Sequence, residues 1–168
     1  MLPQILTVSG NYFSFEHPEE STYTIEDIGH ALAGINRFTA HTQVPYSVAQ
    51  HSVIGSYYID PEHALAFLLH DSGEAFCGDV SSPLKALIRD VYKPIEERIE
   101  KAIMDKFGLP FPYHPAIKMI DNIMLVSEMR DLMPGNHRVI EGVEPLEEEI
   151  VPVSHSMAKR MFIDRFYE

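Results

Sequence analysis

The stretch Leu68–Glu74, LLHDSGE, joins an apolar segment to three ionisable side chains, and it decides how the rest of the chain is interpreted. In a helix, His70 and Glu74 lie one turn apart and Asp71 lies three residues before Glu74, so an imidazole and two carboxylates share one face. The preceding residues 64–69, ALAFLL, are almost entirely apolar, which indicates a buried helix whose polar end faces an interior cleft. Buried carboxylates beside an imidazole need a cation or a catalytic task to offset their desolvation.

Two further predicted helices carry side chains that match this cluster. The helix that Ser47 is expected to cap carries His51 among apolar and small residues, where a lone histidine is more often structural than a ligand. A helix over residues 116–133 carries Asp121 in the middle of its apolar stripe, with Glu128 on the same side two turns further on. An unpaired aspartate is costly in such a place, and a metal ion is the simplest partner for it.

Together these positions supply two nitrogen and two oxygen donors from three helices. Mixed imidazole and carboxylate donors suit Zn, Mn, Co, Ni or Fe(II) and not Ca, which prefers oxygen alone. A His-Asp dipeptide is by itself a weak signal, so the prediction depends on the whole set. The four predicted metal ligands are His51, His70, Asp71 and Asp121.

The rest of the chain predicts an all-α fold. Alternation over residues 6–15 indicates a short strand or hairpin, and an interruption at Pro94 is followed by an amphipathic helix over residues 95–107 with a charged outer face. From Pro134 the chain is expected to be looser until a last helix closes the core. We therefore expect one domain over residues 1–168, a bundle of about six helices with a short extended segment at its N-terminus.

Composition restricts the class of partner and the compartment. The net charge of −12 disfavours non-specific binding to a nucleic-acid polymer or to an anionic membrane. With Cys77 alone, no intrachain disulfide can form, which points to the reducing cytosol. The first residues lack the features of a signal peptide and no apolar run reaches spanning length, so we expect a soluble, cytoplasmic protein with no membrane partner.

The ordered motifs resemble those of the HD-domain metal-dependent phosphohydrolases. The match comprises residues 46–52 (YSVAQHS), 69–74 (LHDSGE), 78–85 (GDVSSPLK) and Asp121. His-Asp-x-x-Glu followed by Gly-Asp-x-x-x-Pro-x-Lys is most similar to the small 5'-deoxynucleotidase branch and to the related phage dNTP triphosphohydrolases. An Asn-Arg-aromatic element before the first ligand, residues 36–38 here, also belongs to that branch.

The resemblance implies a role for each residue of these motifs. A divalent ion, one of Mn, Co, Zn or Mg, would bind the four ligands, and Glu74 would orient or deprotonate a water or protonate the leaving oxygen, with help from Asp79. Arg37, Phe38 and Lys85 would contact the substrate, and the two cations would neutralise phosphate charge. On its spacing alone, Arg37 is a solvated surface arginine, and the simple alternative for Glu74 is solvation of a helix end. Asp79 is equally consistent with a turn residue or cap, and Lys85 with a surface charge.

The implied activity is hydrolysis of the 5'-phosphoester of deoxynucleoside monophosphates, which yields a deoxynucleoside and phosphate. The alternative within the same branch is release of triphosphate from a dNTP such as dATP. A non-catalytic nucleotide-binding regulatory module is the third reading, and it would predict the loss of one or more ligands. Self-association into a homo-oligomer is also expected, because apolar tail residues such as Phe162 and Phe166 are expected to be exposed.

Overall fold

The computed structural model describes residues 2–135 and 140–168. The chain is mostly helical, as predicted, and within these residues its only sheet has two strands. β1 (Gln4–Leu6) and β2 (Tyr12–Ser14) form the predicted N-terminal hairpin, with Ile5 opposite Phe13. The described residues contain eight α-helices: α1 (Ile25–Gly34), α2 (Val48–Ser56), α3 (Ala64–Leu69), α4 (Glu74–Cys77), α5 (Ser82–Leu87), α6 (Arg89–Lys106), α7 (Pro115–Leu132) and α8 (His155–Tyr167).

There are more helices than the expected six, and two predicted elements have different bounds in the structure. The third predicted helix is interrupted by the turn 70–73, which separates α3 from α4. α6 begins at Arg89 and continues through Pro94, whereas the sequence predicted a start at Ile95. Proline removes a single N–H, so the helix loses its bond to the carbonyl of Asp90 without ending there. The single domain and the looser tail from Pro134 were predicted over a range that includes Met1 and residues 136–139, which lie outside the described residues.

The helix starts follow local side-chain chemistry. Thr24 and Asp27 form a capping box, in which the Asp27 N–H donates to Thr24 Oγ1 at 3.3 Å and the Thr24 N–H donates to Asp27 Oδ2 at 2.9 Å. Ser47 accepts from the Gln50 N–H at 3.2 Å, and Ser154 caps α8 in the same way. The predicted start of the helix that carries His51 is therefore confirmed.

The core consists of two apolar clusters on either side of α3. Leu68 and Leu69 face the cluster formed with α1, α2, α6 and α8, whereas Phe67 faces the cluster formed with α7. Gly55 on α2 allows the close approach, because a Cβ there would lie 2.1 Å from the Phe67 ring. α3 thus ends between the two clusters, at the point where His70 follows.

Two apolar residues of α8 that were expected to be exposed belong to this core. Phe162 is fully buried and Phe166 is partly buried, so the tail does not offer the patch on which self-association was expected.

Among the helices that the structure describes, none has both the length and the apolar character needed to cross a bilayer.

Candidate metal centre and the acidic cleft beside it

Three helices bring two histidines and an aspartate to one point. His51 comes from the middle of α2, His70 follows the last residue of α3, and Asp121 comes from α7. One ligand atom from each lies within 4.8 Å of the other two, and both imidazoles are buried. This cluster could hold a metal ion.

Asp71 lies directly beside the cluster. Its Oδ1 is 3.2 Å from His70 Nε2 and its Oδ2 is 3.6 Å from His51 Nε2. Asp121 Oδ1 is also 3.6 Å from His51 Nε2. Ligand atoms that each lie about 2.1 Å from a shared ion are about 3 to 3.5 Å from one another. Among the described residues, His51, His70 and Asp121 form a group whose ligand atoms all lie within 4.8 Å of one another, whereas Asp71 approaches the two histidines with different oxygens.

Hydrogen bonds behind the imidazoles define which nitrogen faces the cluster. His70 Nδ1 lies 2.6 Å from the carbonyl oxygen of Phe67 and His51 Nδ1 lies 2.6 Å from Glu128 Oε1. Because these oxygens accept, both Nδ1 atoms carry the proton and both Nε2 atoms present a lone pair. The two Nε2 atoms are buried and have no hydrogen-bond partner among the described residues. Such lone pairs, held from behind, are typical of metal-binding histidines.

Asp121 is negatively charged in this surrounding. Burial raises the pKa of its carboxyl, but His51, His70 and a hydrogen bond from Lys118 Nζ at 2.7 Å outweigh burial and hold the pKa well below its usual range. An ionised carboxylate is the form that binds a cation.

Glu128 is a fully buried residue of this site, and no role was predicted for it from the sequence. It accepts from His51 on one oxygen and from Arg37 Nε on the other, at 2.9 Å. Burial raises the pKa of Glu128, whereas the charge of Arg37 and the hydrogen bond from His51 lower it, and the net shift is downward. Its seven-residue separation from Asp121 places both on one helix face, as the sequence indicated, but that pattern does not show which residues Glu128 contacts.

Arg37 is a largely buried residue and not the surface arginine that its spacing alone suggested. Its side chain is 13% exposed, and Nη1 lies 3.6 Å from Asp71 Oδ2. Since Nε is occupied by Glu128, only the terminal nitrogens remain available to a ligand. Arg37 therefore contacts both Glu128, which holds His51, and the predicted ligand Asp71.

The loop after Arg37 has an unusual backbone. Phe38, Thr39 and Ala40 have φ values of 55°, 53° and 62°, in the left-handed region that residues with a Cβ rarely adopt. Phe38 is half-buried, and its ring centroid lies 5.8 Å from Arg37 Cζ. Consecutive residues in this conformation store strain, which accumulates at ligand sites.

Glu74 follows the ligands in a tighter turn than the sequence predicted. α3 ends at Leu69, so the prediction of one continuous helix through His70–Glu74 is wrong. The N–H of Ser72 donates to Leu69 O and that of Glu74 to Asp71 O, both at 3.0 Å. These are i to i−3 bonds, which give three residues per turn, so Glu74 lies in line with Asp71.

The carboxyl of Glu74 is buried, and its Oε2 has no hydrogen-bond partner within the described residues. Burial raises its pKa well above the usual range, and the charges of Asp71 and Asp79 add to this effect. Asp79 is half-buried, and burial likewise raises its pKa, while Arg37 opposes the shift. The charge of Asp71 raises the pKa of both carboxyls, so both interact electrostatically with the predicted ligand Asp71.

Lys85 is a partly buried cation within this acidic cleft. Its Nζ donates to Glu96 Oε1 at 2.5 Å and lies 3.9 Å from Glu74 Oε1. Burial lowers the pKa of Lys85, but Glu96 and Glu74 outweigh this and raise it. Lys85 is thus charged and linked to Glu74.

Two acids on α6 complete the cleft. Glu96 and Glu100, one turn apart, line a cavity of about 20 Å³ together with Asp71 and Glu74. The pKa of Glu100 is raised to about 8, mainly by burial and then by the charges of Glu96 and Asp71. The sequence assigned both to a charged outer face, because it does not show which side of α6 faces the cluster. The cavity has room for about one water.

Comparison with known proteins identifies two relatives. Over 166 residues the chain is 39% identical to the protein YfdR of Escherichia coli strain K12, and the match covers 96% of this chain and 93% of YfdR. Over 129 residues it is 34% identical to a protein of Rhodobacter capsulatus, covering 69% of this chain and 66% of that protein. Both relatives are described as uncharacterized, and no protein-family model matches the chain.

Proposed function

The chain belongs to the family of YfdR, and we propose that it is a divalent-metal-dependent phosphohydrolase with an HD-type helical domain. Its proposed reaction is hydrolysis of deoxynucleoside 5'-monophosphates to deoxynucleoside and phosphate. The observation that carries this proposal is the convergence of two buried, unpaired Nε2 atoms on the carboxylates of Asp71 and Asp121.

The donor set fits a borderline metal ion. Imidazole suits Zn and Co, carboxylate suits Mn and Mg, and two of each favour Mn, Co or Zn over Mg. Once bound, such an ion lowers the pKa of a coordinated water and polarises a phosphate oxygen. His51, His70, Asp71 and Asp121 are the residues that would hold it.

Glu74 is positioned to move protons beside this ion. It lies in line with Asp71, outside the set of four ligands, and its pKa is raised by burial first. A carboxyl with a raised pKa can hold and release a proton near neutral pH, which suits either activation of the water or protonation of the leaving 5'-oxygen. Asp79 assists from the adjoining loop.

Arg37 and Lys85 supply positive charge on two sides of the cleft. The Arg37 terminal nitrogens face Asp71, and Lys85 Nζ approaches Glu74. In a chain with a net charge of −12, local cations of this kind are what allow an anionic substrate to bind. They suit the phosphate of a small nucleotide, with Phe38 beside Arg37 available to the base or sugar.

One observation favours the dNTP alternative. Lys85 begins a row of basic residues that continues with Arg89 and Lys93 along a cavity of about 270 Å³. A longer phosphate chain that extends from the cleft would contact these cations. Hydrolysis of the same 5'-phosphoester bond would then release triphosphate. A non-catalytic module is disfavoured because all four ligands are present.

The test uses purified protein, stripped with EDTA and reloaded with Mn²⁺ or Co²⁺, against a panel of dNMPs, ribonucleoside monophosphates and dNTPs. We expect metal-dependent release of phosphate from dNMPs, whereas triphosphate from dNTPs, identified by ion chromatography, would select the alternative. His70→Ala should lose both bound metal and turnover, whereas His155→Ala, at an exposed position on α8, should keep both. Metal-loaded protein that turns over none of these nucleotides would refute the enzyme proposal.

A further inference from the structure

The backbone carbonyl of His70 lies in the turn between α3 and α4, where the helical hydrogen-bond pattern changes. In a continuous α-helix this oxygen would accept from the N–H of Glu74, four residues further on. That N–H instead donates to Asp71 O at 3.0 Å. Among the described residues, no backbone N–H donates to the His70 carbonyl. The turn therefore leaves a carbonyl oxygen beside the candidate metal centre that needs a donor from another segment.

The hydroxyl of Tyr113 is this donor. Tyr113 Oη donates to the His70 carbonyl oxygen at 2.9 Å, although the two residues are 43 positions apart in the sequence. A carbonyl oxygen can only accept, so the direction of this hydrogen bond is fixed. A side chain from a distant segment thus takes the place that the N–H of Glu74 has in an ordinary helix.

Tyr113 is itself held in place at the start of α7. The next residue, His114, is the N-cap of this helix, and its Nδ1 accepts from the N–H of Ala116 at 3.3 Å, while Pro115 opens the helix. The Tyr113 ring packs edge-on against Phe111, with ring centroids 5.3 Å apart, and it contacts both apolar clusters of the core. The hydroxyl therefore has a defined position relative to α7.

The direction of the Glu74 side chain depends on this turn. Because the N–H of Glu74 bonds three residues back, Glu74 lies in line with Asp71. In an ordinary α-helix, residues three apart differ in direction by about 60° around the axis, so relaxation of the turn would rotate Glu74 away from Asp71. The imidazole of His70 has separate support, since its Nδ1 lies 2.6 Å from Phe67 O. The bond from Tyr113 therefore acts on the backbone that leads to Glu74.

We propose that Tyr113 is a positioning residue for Glu74: by binding the His70 carbonyl, it keeps the turn 70–73 in its tight form and holds the Glu74 carboxyl beside Asp71. This inference rests on the proposed hydrolysis, in which Glu74 moves protons. The hydroxyl of Tyr113 is occupied by a backbone carbonyl, so Tyr113 acts through Glu74 and not on the substrate.

A double-mutant cycle at saturating Mn²⁺ tests this role, with the nucleotide that the wild type turns over fastest. Tyr113→Phe removes the hydroxyl and keeps the ring, so kcat should fall about tenfold while KM changes by less than about twofold. In a Glu74→Gln background the same substitution should lower kcat by less than about twofold, because the carboxyl that it positions is absent. Tyr58→Phe is the matched control, since it removes an exposed hydroxyl that donates to Glu148 Oε2 at 2.9 Å, and it should keep the kcat of either background.

Hydrogen exchange of the metal-free protein tests the same hydrogen bond without a substrate. In Tyr113→Phe the N–H groups of Ser72 and Glu74 should exchange about tenfold faster than in the wild type, because the turn opens more easily. The N–H of His51 on α2 should exchange at the wild-type rate. A general loss of stability would instead accelerate exchange at all three positions.

A Tyr113→Phe variant with wild-type kcat would overturn the proposal, as would an equal loss of kcat in both backgrounds, which would show that Tyr113 does not act through Glu74. Exchange that is unchanged at Ser72 and Glu74, or that is faster at His51 as well, would also overturn it. A wild type that turns over no nucleotide would refute the proposed function, and the exchange rates would still decide whether Tyr113 holds the turn.

Discussion

The two sides of the candidate metal centre differ in how their buried charges are balanced. On the α2 and α7 side, Glu128 is fully buried and lies between His51 and Arg37. On the α4 and α6 side, Glu74 and Glu100 share a cleft with other carboxylates, and Lys85 is the nearest cation. The first side holds oppositely charged partners in hydrogen bonds, whereas the second concentrates like charges.

This difference assigns separate tasks to the two sides. A buried carboxylate between an arginine and a histidine stays ionised, as the lowered pKa of Glu128 indicates, and it fixes the position of an imidazole. Carboxyls that are buried and that also crowd one another bind protons more readily, as the raised pKa values of Glu74 and Glu100 indicate. We infer that the first side holds the site in place and that the second side exchanges protons.

The largest effect is expected at the acidic side. Glu74→Gln keeps the shape of the side chain but cannot exchange a proton, so turnover should fall about 100-fold to 10,000-fold. Bound metal, measured by elemental analysis, should be retained because Glu74 is not among the ligands. Glu97→Gln, at an exposed position on α6, is the control. Unchanged turnover in Glu74→Gln would show that the task belongs to another residue.

On the balanced side, Glu128→Ala should reduce the free energy of unfolding. It leaves the Arg37 guanidinium buried without its partner, and breaking a buried pair of this kind costs about 3 to 5 kcal/mol. Urea denaturation in EDTA measures the effect, with Glu62→Ala, an exposed substitution, as the control. A variant as stable as the wild type would mean that the network contributes no net stability.

The smallest effect is expected from Glu100→Gln, and it depends on pH. The pKa of Glu100 is about 8 in the folded chain, compared with an ordinary value of 4.5. Between these values the folded state binds more protons than the unfolded state, so stability falls as pH rises through this window. Glutamine does not titrate, so this pH dependence is absent from the variant. The urea midpoint of the wild type should therefore fall relative to that of Glu100→Gln as the pH rises from 4.5 to 8. Parallel midpoints across the window would contradict the raised pKa.

Much of the fold was predictable because its signals are local. A capping box needs only Thr24 and Asp27, and a hairpin needs only the alternation of residues 6–15, so neither depends on distant packing. The donor set was predictable for a related reason, since a polar residue on an apolar helix face must find a partner wherever the helix packs. His51 and Asp121 were found in this way.

Other features depend on contacts between segments that are far apart in the chain. Glu128 acquires its role from Arg37, 91 residues away, and no local pattern indicates that pairing. Which side of α6 faces the cleft is decided by the packing of the bundle, and so the positions of Glu96 and Glu100 were not predicted.

By itself, the sequence determined the helical class, the start of the helix that Ser47 caps and the identities of the candidate ligands, because these follow from side-chain chemistry within a few residues. Only the tertiary structure decided which charges balance one another and which apolar side chains remain exposed. Burial and pairing are properties of the assembled surface. For this reason Phe162 lies in the core while Leu87 lies in solvent, although both are apolar residues of helices.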